Sequence, residues 1–212
     1  MSSPGTNSDG AAGQMRPSDV SSLYNSIIFQ IEQQMGLAWT VTVVKVTKVT
    51  NQGDVSPNGT VDCQVMVKML DGAGNATSHI TAMKFPYLRL QGGKNAIIMD
   101  PQVGDLGIAV FANRDISSVK KTKKEANPGS YRQFDLADGM YLGGILNDTP
   151  EQYVQFNDQG ITIKDKNDNK IEMTSDGINF VSDKLTHNGT DIGDDHMHSG
   201  VQTGSGDTGP PV

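Results

Sequence analysis

The chain has 212 residues, with 17 Lys and Arg against 24 Asp and Glu and a formal net charge of -7. Leu, Ile, Val and Phe number 10, 14, 17 and 6, together 47 of 212 residues, whereas Gly alone contributes 24. So little large apolar material excludes one large monomeric core. It favours a modest domain joined to an elongated part that buries its surface against other copies of the chain.

Several classes of protein are excluded early. No apolar run approaches the ~18–20 residues that span a bilayer, and the first residues lack a basic patch followed by an apolar segment, so we expect no secretory signal peptide. A single cysteine, Cys63, excludes a disulfide framework and a cysteine-based zinc site. We expect Cys63 to be a small buried strand residue.

The charge is unevenly distributed. Residues 1–149 hold 13 basic and 13 acidic residues, whereas residues 150–212 hold 4 and 11. Nucleic-acid-binding proteins show the opposite pattern, a basic face that displaces counterions. The one basic cluster, Lys120, Lys121, Lys123 and Lys124, precedes a Pro-Gly turn and is interpreted as a solvated loop.

The first part of the chain predicts a flexible arm over residues 1–17 and a helix over residues 18–36. Ser18 is a suitable N-cap and Gly36 a suitable end. Apolar residues recur between them at helical spacing, in the series Val20, Leu23, Tyr24, Ile27, Ile28, Ile31 and Met35. This stripe needs a partner surface, either the chain's own β domain or a neighbouring subunit.

Residues 37–148 predict a small β barrel. Residues 39–50 are almost all β-branched or aromatic, and residues 61–70 alternate, with Val61, Cys63, Val65, Val67 and Met69 on one face. Shorter strands are expected near 96–99, 107–111, 131–134 and 140–143. Five or six strands in about 105 residues fit an OB-fold barrel, an architecture that by itself implies no function.

Residues 149–190 predict a shaft of very short alternating strands. Gly-Ile-Thr-Ile at 160–163 and Gly-Ile-Asn-Phe at 177–180 recur at an offset of 17. A single ribbon of this kind is unstable. Three copies around a common axis, as a trimeric β-prism or β-helix, would place inside it Tyr153 or Val154, Ile161, Ile163, Ile171, Met173, Ile178 and Phe180.

Residues 191–212 contain a candidate metal site, His196 and His198. Residues two apart in an extended strand point to the same side. Three strands on a threefold axis would supply six imidazoles, an arrangement that favours an octahedral first-row ion such as Fe(II), whereas zinc prefers four ligands. Asp194 and Asp195 are either acceptors for the imidazole N–H groups or a solvated turn. We interpret His79 as a half-exposed strand residue and His187 as a surface-loop residue.

The chain resembles the central spike proteins of contractile-tailed bacteriophages, the membrane-piercing needle at the baseplate tip. The resemblance lies in His196-Met197-His198, Gly200 and Gly206-Asp207-Thr208-Gly209-Pro210, and in segments 101–107, 113–116 and 132–139. It implies an OB domain, a β-helical shaft and one iron ion held by His196 and His198 of three chains, zinc or another first-row ion being less favoured.

The resemblance also implies a functional class. It predicts a homotrimer that joins baseplate hub and tail tube proteins and punctures the host outer membrane during sheath contraction. The protein would be made in the host cytoplasm and reside in the virion. It would not be an enzyme, since no paired-carboxylate pocket, phosphate loop or nucleophile motif is visible, and it would not bind nucleic acid. The alternative is an OB-fold binding module for nucleic acid or carbohydrate.

Overall fold

The computed structural model describes residues 15, 17–51, 55–70, 75–194, 196–197, 200 and 204. The prediction of a mainly β chain is confirmed, and the chain divides into two compact units, Met1–Asn147 and Asp148–Val212. The expected flexible arm over residues 1–17 lies almost entirely outside the described residues. None of the helices in the described part is long and apolar enough to cross a membrane.

The N-terminal helical segment begins with a 3-10 turn, Pro17–Val20, followed by helix α1, Leu23–Gly36. The helix is capped by Ser22, whose hydroxyl accepts from the Asn25 N–H at 3.1 Å, so the expectation that Ser18 is the N-cap is wrong. Ser18 instead closes the preceding turn, because its carbonyl accepts from the Ser21 N–H. The helix ends at Gly36, as expected. Its apolar stripe is exposed, from 37% at Ile28 to 78% at Leu23.

The described residues of the first unit after α1 include nine strands, a second α-helix and a 3-10 turn, Leu136–Asp138. The strands are β1 (Val41–Val49), β2 (Thr60–Val65), β3 (Met69–Leu70), β4 (Ala76–Thr77), β5 (Ala82–Pro86), β6 (Leu90–Gly92), β7 (Asn95–Ile97), β8 (Leu106–Phe111) and β9 (Gly139–Gly144). The helix α2 spans Ser117–Thr122.

Five of these strands form one curled antiparallel sheet in the order β5-β2-β1-β8-β9. Its two edges approach each other directly after β5, where Tyr87 forms a parallel bridge with Tyr141 of β9. The Leu88 N–H donates to the Tyr141 carbonyl at 2.8 Å. The sheet therefore curls far enough for its first and last strands to make contact.

The core of the first unit lies inside this curl. It is built from alternate residues of the strands, which point to one face of a sheet. Its buried members are Val44, Val46, Val61, Cys63, Val65, Phe85, Tyr87, Ala109, Phe111 and Tyr141. Trp39 packs against the edge of this core, and its backbone N–H donates to the Phe134 carbonyl.

Helix α1 and the exit towards the second unit lie at opposite ends of β8. Val41, the first residue of β1, pairs with Val110 near the end of β8. Gly144, the last residue of β9, pairs with Gly107 near its start. The chain therefore enters the sheet from the helix at one pole and leaves it at the other.

The second unit is an antiparallel meander followed by a short hairpin. The meander strands are β10 (Tyr153–Asn157), β11 (Gly160–Lys164), β12 (Lys170–Thr174) and β13 (Gly177–Val181), in the order β10-β11-β12-β13. The hairpin consists of β14 (Thr186–His187) and β15 (Thr190–Asp191).

Three local predictions for the first unit are wrong. Residues 131–134 form no strand; instead the exposed Arg132 pairs with two buried carboxylates, Asp115 at 3.0 Å and Asp138 at 3.2 Å. The expected face of residues 61–70 stops at Val65, where β2 ends, and Val67 and Met69 are exposed. The lysine cluster lies partly in helix α2 rather than in a loop.

Candidate functional site

The meander register places eight apolar side chains on one face. Directly paired residues of neighbouring strands point to the same side of a sheet. One row across the four strands is Val154, Ile163, Ile171 and Phe180; the next is Phe156, Ile161, Met173 and Ile178. We call these eight residues the apolar face. The register resolves the choice between Tyr153 and Val154, because Val154 pairs with Ile163, whereas Tyr153 pairs with Lys164.

The opposite face of the meander is polar. Its central row is Gln155, Thr162, Glu172 and Asn179. Lys170 donates to the Glu172 carboxylate at 2.7 Å, and this hydrogen bond holds the pKa of Glu172 below its ordinary value. Hydrogen bonds and ion pairs thus stabilise this face in water, whereas the apolar face has no such interactions available.

The apolar face is largely exposed within one chain. The exposed fractions are 74% for Phe156, 66% for Ile178, 58% for Val154 and 54% for Phe180. Isolated surface apolar residues are ordinary, but two continuous rows across four strands form a contiguous patch, which marks an interaction surface. The apolar face is therefore the candidate functional surface of the second unit.

The turns of the meander fix this register. Gly160 and Gly177, the first residues of the repeated tetrapeptides, both have a positive φ, 138° and 135°. A side chain at Gly160 would also clash with the Met173 carbonyl. Between β11 and β12, the Asp165 carboxylate accepts from the N–H groups of Asn167 and Asn169. The side-chain amide of Asn169 and these backbone donors lower the pKa of Asp165.

The hairpin after the meander leads towards the histidine pair. It turns at Asn188 and Gly189, both with positive φ, as expected for an Asn-Gly turn. His187 is exposed, as expected, but it lies in β14 beside this turn, so the prediction that it belongs to a loop is wrong. Beyond the hairpin, the Gly193 N–H donates to Asp191 at 2.9 Å, which shapes the bend that precedes the histidines.

The geometry of His196 suits a metal ligand. Its Nδ1 lies 2.5 Å from the Gly193 carbonyl oxygen. In a neutral ring this contact favours the tautomer with its proton on Nδ1, because a carbonyl oxygen can only accept. A backbone carbonyl that fixes the tautomer in this way is the usual outer partner of a metal-bound imidazole.

The rest of the candidate metal site lies beyond what the structure describes. His198, Asp195 and the residues 206–210 are outside the described residues. Within the described part of the chain, no three His, Cys, Asp or Glu residues converge as a metal site. The structure therefore places one of the two expected ligands and does not test the pair.

Two further residues singled out from the sequence, Cys63 and His79, pack within the first unit. Cys63 is fully buried, and burial, with a smaller contribution from Asp62, raises the pKa of its thiol to about 12. Such a thiol is protonated and unreactive at neutral pH. His79 is half-buried, as expected, but it lies between β4 and β5 rather than in a strand, and it contacts Trp39 edge-on at a ring-centroid distance of 5.0 Å.

Phe156 belongs to the apolar face but was missed as an inward residue in the sequence analysis. The signal was present, since Phe156 lies two residues after Val154 and alternation places both on one side of the strand. The choice between Tyr153 and Val154 was open, and only the cross-strand partners determine which of the two lies on the apolar face.

Comparison of the sequence with protein-family models and with curated proteins finds no match in either set.

Proposed function

We propose that the protein is a structural, non-enzymatic spike at the tip of a contractile phage tail baseplate, which punctures the host outer membrane during sheath contraction. The observation that carries this proposal is the apolar face, because two unbroken apolar rows on a narrow four-stranded sheet require other copies of the same sheet. The resemblance of the C-terminal segment to phage spike proteins supplies the biological setting.

The dimensions of the meander favour three copies. Four strands spaced ~4.8 Å apart form a sheet ~19 Å wide, and a triangular prism of that side places each sheet ~5.5 Å from the axis. This matches half of the ~10 Å spacing of packed sheets, so three apolar faces fill the interior. Four copies would leave each sheet ~10 Å from the axis around a void. Two copies would fill the space but leave every edge strand unpaired.

The edges of the meander also suit a closed prism. Three successive antiparallel pairings make β10 and β13 antiparallel to each other. The β13 edge of one copy can therefore pair in antiparallel fashion with the β10 edge of the next. Closure by three such pairings removes the exposed edges that otherwise invite aggregation. A stiff, narrow, closed shaft is the form that a mechanical needle needs.

The first unit is proposed to be an OB-fold collar. Two features support this proposal: the strand order β5-β2-β1-β8-β9 of the curled sheet, and the parallel bridge between its edges, both of which a five-stranded Greek-key barrel would have. The separation of α1 from the chain exit, at opposite ends of β8, supports an attachment role for the helix. The baseplate hub would bind at the helix pole and the shaft would extend from the other.

His196 and His198 of three chains are proposed to hold one metal ion, iron(II) in preference to zinc or another first-row ion. The contact of His196 Nδ1 with the Gly193 carbonyl supports this role, because a backbone carbonyl is the usual outer partner of a metal-bound imidazole. The chemistry that such an ion supplies is cross-linking of strand ends without catalysis. Of the two ligands, the structure describes only His196, whose ring contacts the bend at 191–193 through the Gly193 carbonyl.

The native mass tests the proposal. If the protein is a trimeric spike, its native mass by sedimentation equilibrium should be about 68 kDa, three times the chain mass of 22.7 kDa. The same sample should neither clear a peptidoglycan suspension nor shift labelled single-stranded DNA. Fab fragments raised against residues 41–147 should label the distal end of purified tails. A monomeric mass at micromolar concentration, lytic activity, or labelling elsewhere in the virion would contradict the proposal.

A further inference from the structure

The tripeptide Asn-Gly-Thr occurs twice in the chain, at residues 58–60 and at residues 188–190. In an Asn-Gly pair the asparagine side chain can react with the backbone nitrogen of the glycine, because glycine has no side chain to shield that nitrogen. The asparagine and the two residues after it are the same in both copies. A difference in reactivity between the copies therefore comes mainly from the structure around them.

The second copy lies at the tip of a hairpin. Asn188 and Gly189 form the turn between β14 and β15, and both are exposed. Their φ values are 50° and 82°, as a tight two-residue turn requires. Across the ranges that the structure describes, neither the Asn188 carboxamide nor the Gly189 N–H has a hydrogen-bond partner. No contact therefore holds these two groups apart.

The hairpin that carries this turn is short. Each of its strands has two residues. One hydrogen bond beyond the strands, from the Ile192 N–H to the Leu185 carbonyl at 2.8 Å, closes its base. Two-stranded hairpins are marginally stable in water, and short elements open at little cost in free energy. Opening gives the turn the backbone freedom that a reaction between side chain and backbone requires.

The first copy is held by the five-stranded sheet. The Asn58 side-chain amide donates to the Tyr87 carbonyl at 3.3 Å. The Thr60 N–H donates to Thr50 Oγ1 at 2.7 Å, and the Thr60 carbonyl accepts from the Thr50 N–H at 3.0 Å. A Cβ atom at Gly59 would lie 2.5 Å from the same Thr50 oxygen, so the backbone has little room to rotate. Reaction at Asn58 requires these contacts to break first.

From this contrast we infer that Asn188 is a site of spontaneous deamidation and that the fold protects Asn58. A base takes the proton of the Gly189 N–H, the nitrogen bonds to Cγ of Asn188, and the side-chain nitrogen leaves as ammonia with a proton returned to it. Water then adds to either carbonyl of the succinimide ring and breaks one of its C–N bonds. The products are aspartate and isoaspartate, and no oxidant or reductant is consumed.

The modification changes the segment that leads to the candidate metal site. Isoaspartate routes the main chain through the former side chain, which adds one backbone atom to a two-residue turn. Both products replace a neutral amide by a carboxylate. The bend at 191–193, whose Gly193 carbonyl contacts His196, follows directly. The inference itself concerns one chain and does not depend on the proposed trimer.

Peptide mapping of the full-length protein tests this assignment. The protein is incubated in warm, mildly alkaline buffer and digested with trypsin, which places the two copies in peptides 49–68 and 185–212. Isoaspartate is measured with a methyltransferase specific for that residue, and fragmentation by mass spectrometry assigns its position. In the native protein, Asn188 should react at least ~10-fold faster than Asn58. In guanidinium chloride the two rates should be similar, because the structure that protects Asn58 is lost.

Asn188→Gln is the matched control, because its longer side chain would have to close a larger and less favourable ring. It should remove the isoaspartate signal from peptide 185–212 and leave that of peptide 49–68 unchanged. Equal native rates, or faster reaction at Asn58, would overturn the inference. Reaction of both copies only after denaturation would show that the hairpin stays closed, which also overturns it. The native mass of the same sample separately tests the spike, since a monomer would contradict that proposal and leave this one intact.

Discussion

Replacing Phe156 by Asp should dissociate the proposed trimer while leaving the single-chain fold in place. Phe156 is 74% exposed in one chain, so the isolated meander loses little burial. A phenylalanine buries ~200 Å² when covered, and three quarters of that area at ~25 cal/mol/Å² is about 4 kcal/mol per copy. Three copies lose about 11 kcal/mol, before the cost of burying three carboxylates, which is several kcal/mol each.

Even half of that value would raise the dissociation constant of the trimer by about four powers of ten. Sedimentation velocity at micromolar concentration should therefore show monomers for Phe156→Asp. The matched control is Gln155→Asp, one residue earlier on the same strand but on the polar face. It introduces the same side chain and should remain trimeric. A trimeric Phe156→Asp variant, or equal dissociation of both variants, would refute the assignment of the apolar face as the interface.

Three further changes probe other parts of the molecule. His196→Ala combined with His198→Ala should reduce bound metal from one ion per trimer to background in elemental analysis, without changing the native mass. A metal content unaffected by the substitutions would reject the site. One zinc ion per trimer in the wild type would keep the site and correct only the identity of the ion. Deletion of residues 1–36 should leave a soluble trimer that fails to join the baseplate in an assembly assay, and normal incorporation would show that α1 is dispensable. Hydrogen bonds from Ser117 and Ser130, aided by Arg132, lower the pKa of Asp115 to about 2. Asp115 therefore stabilises the folded state fully above the ordinary carboxylate pKa near 3.9, and this stabilisation is lost as the pH falls through 2. Asp115→Asn should be less stable at neutral pH and lose less stability between pH 4 and 2 in acid denaturation followed by tryptophan fluorescence; an unchanged acid transition would contradict this account.

The sequence predicts the strands best where alternation continues without interruption. In the second unit, short alternating segments separated by glycine turns locate the strands and six of the eight members of the apolar face, with Val154 as one of two alternatives, because period-two patterning is typical of a sheet with one apolar face. The pattern alone could not choose between Tyr153 and Val154. That choice depends on which residue pairs with Ile163, and pairing is a property of two strands rather than one.

The first unit was harder to predict because side-chain contacts distant in sequence override local pattern. Residues 131–134 have strand-like composition, yet Arg132 is held by Asp115 and Asp138. Strand β2 ends at Val65, although the alternation of apolar residues in the sequence continues to Met69.

For the candidate metal site in residues 191–212, the sequence and the structure supply different observations. The spacing of His196 and His198 suggests paired ligands on one strand, which the described residues do not test. The contact between His196 and Gly193 could not have been expected from spacing, because it depends on the bend that Asp191 stabilises.

The placement of α1 and the chain exit at opposite ends of β8 determines how the first unit carries a mechanical load. A force between Val41 and Gly144 runs along β1, β8 and β9, and antiparallel hydrogen bonds lie perpendicular to their strands. The force therefore shears whole rows of hydrogen bonds together instead of unzipping them one by one. Pulling a single molecule from these two ends should give a high rupture force, whereas pulling across the sheet, from β5 to β1, should open it at a much lower force.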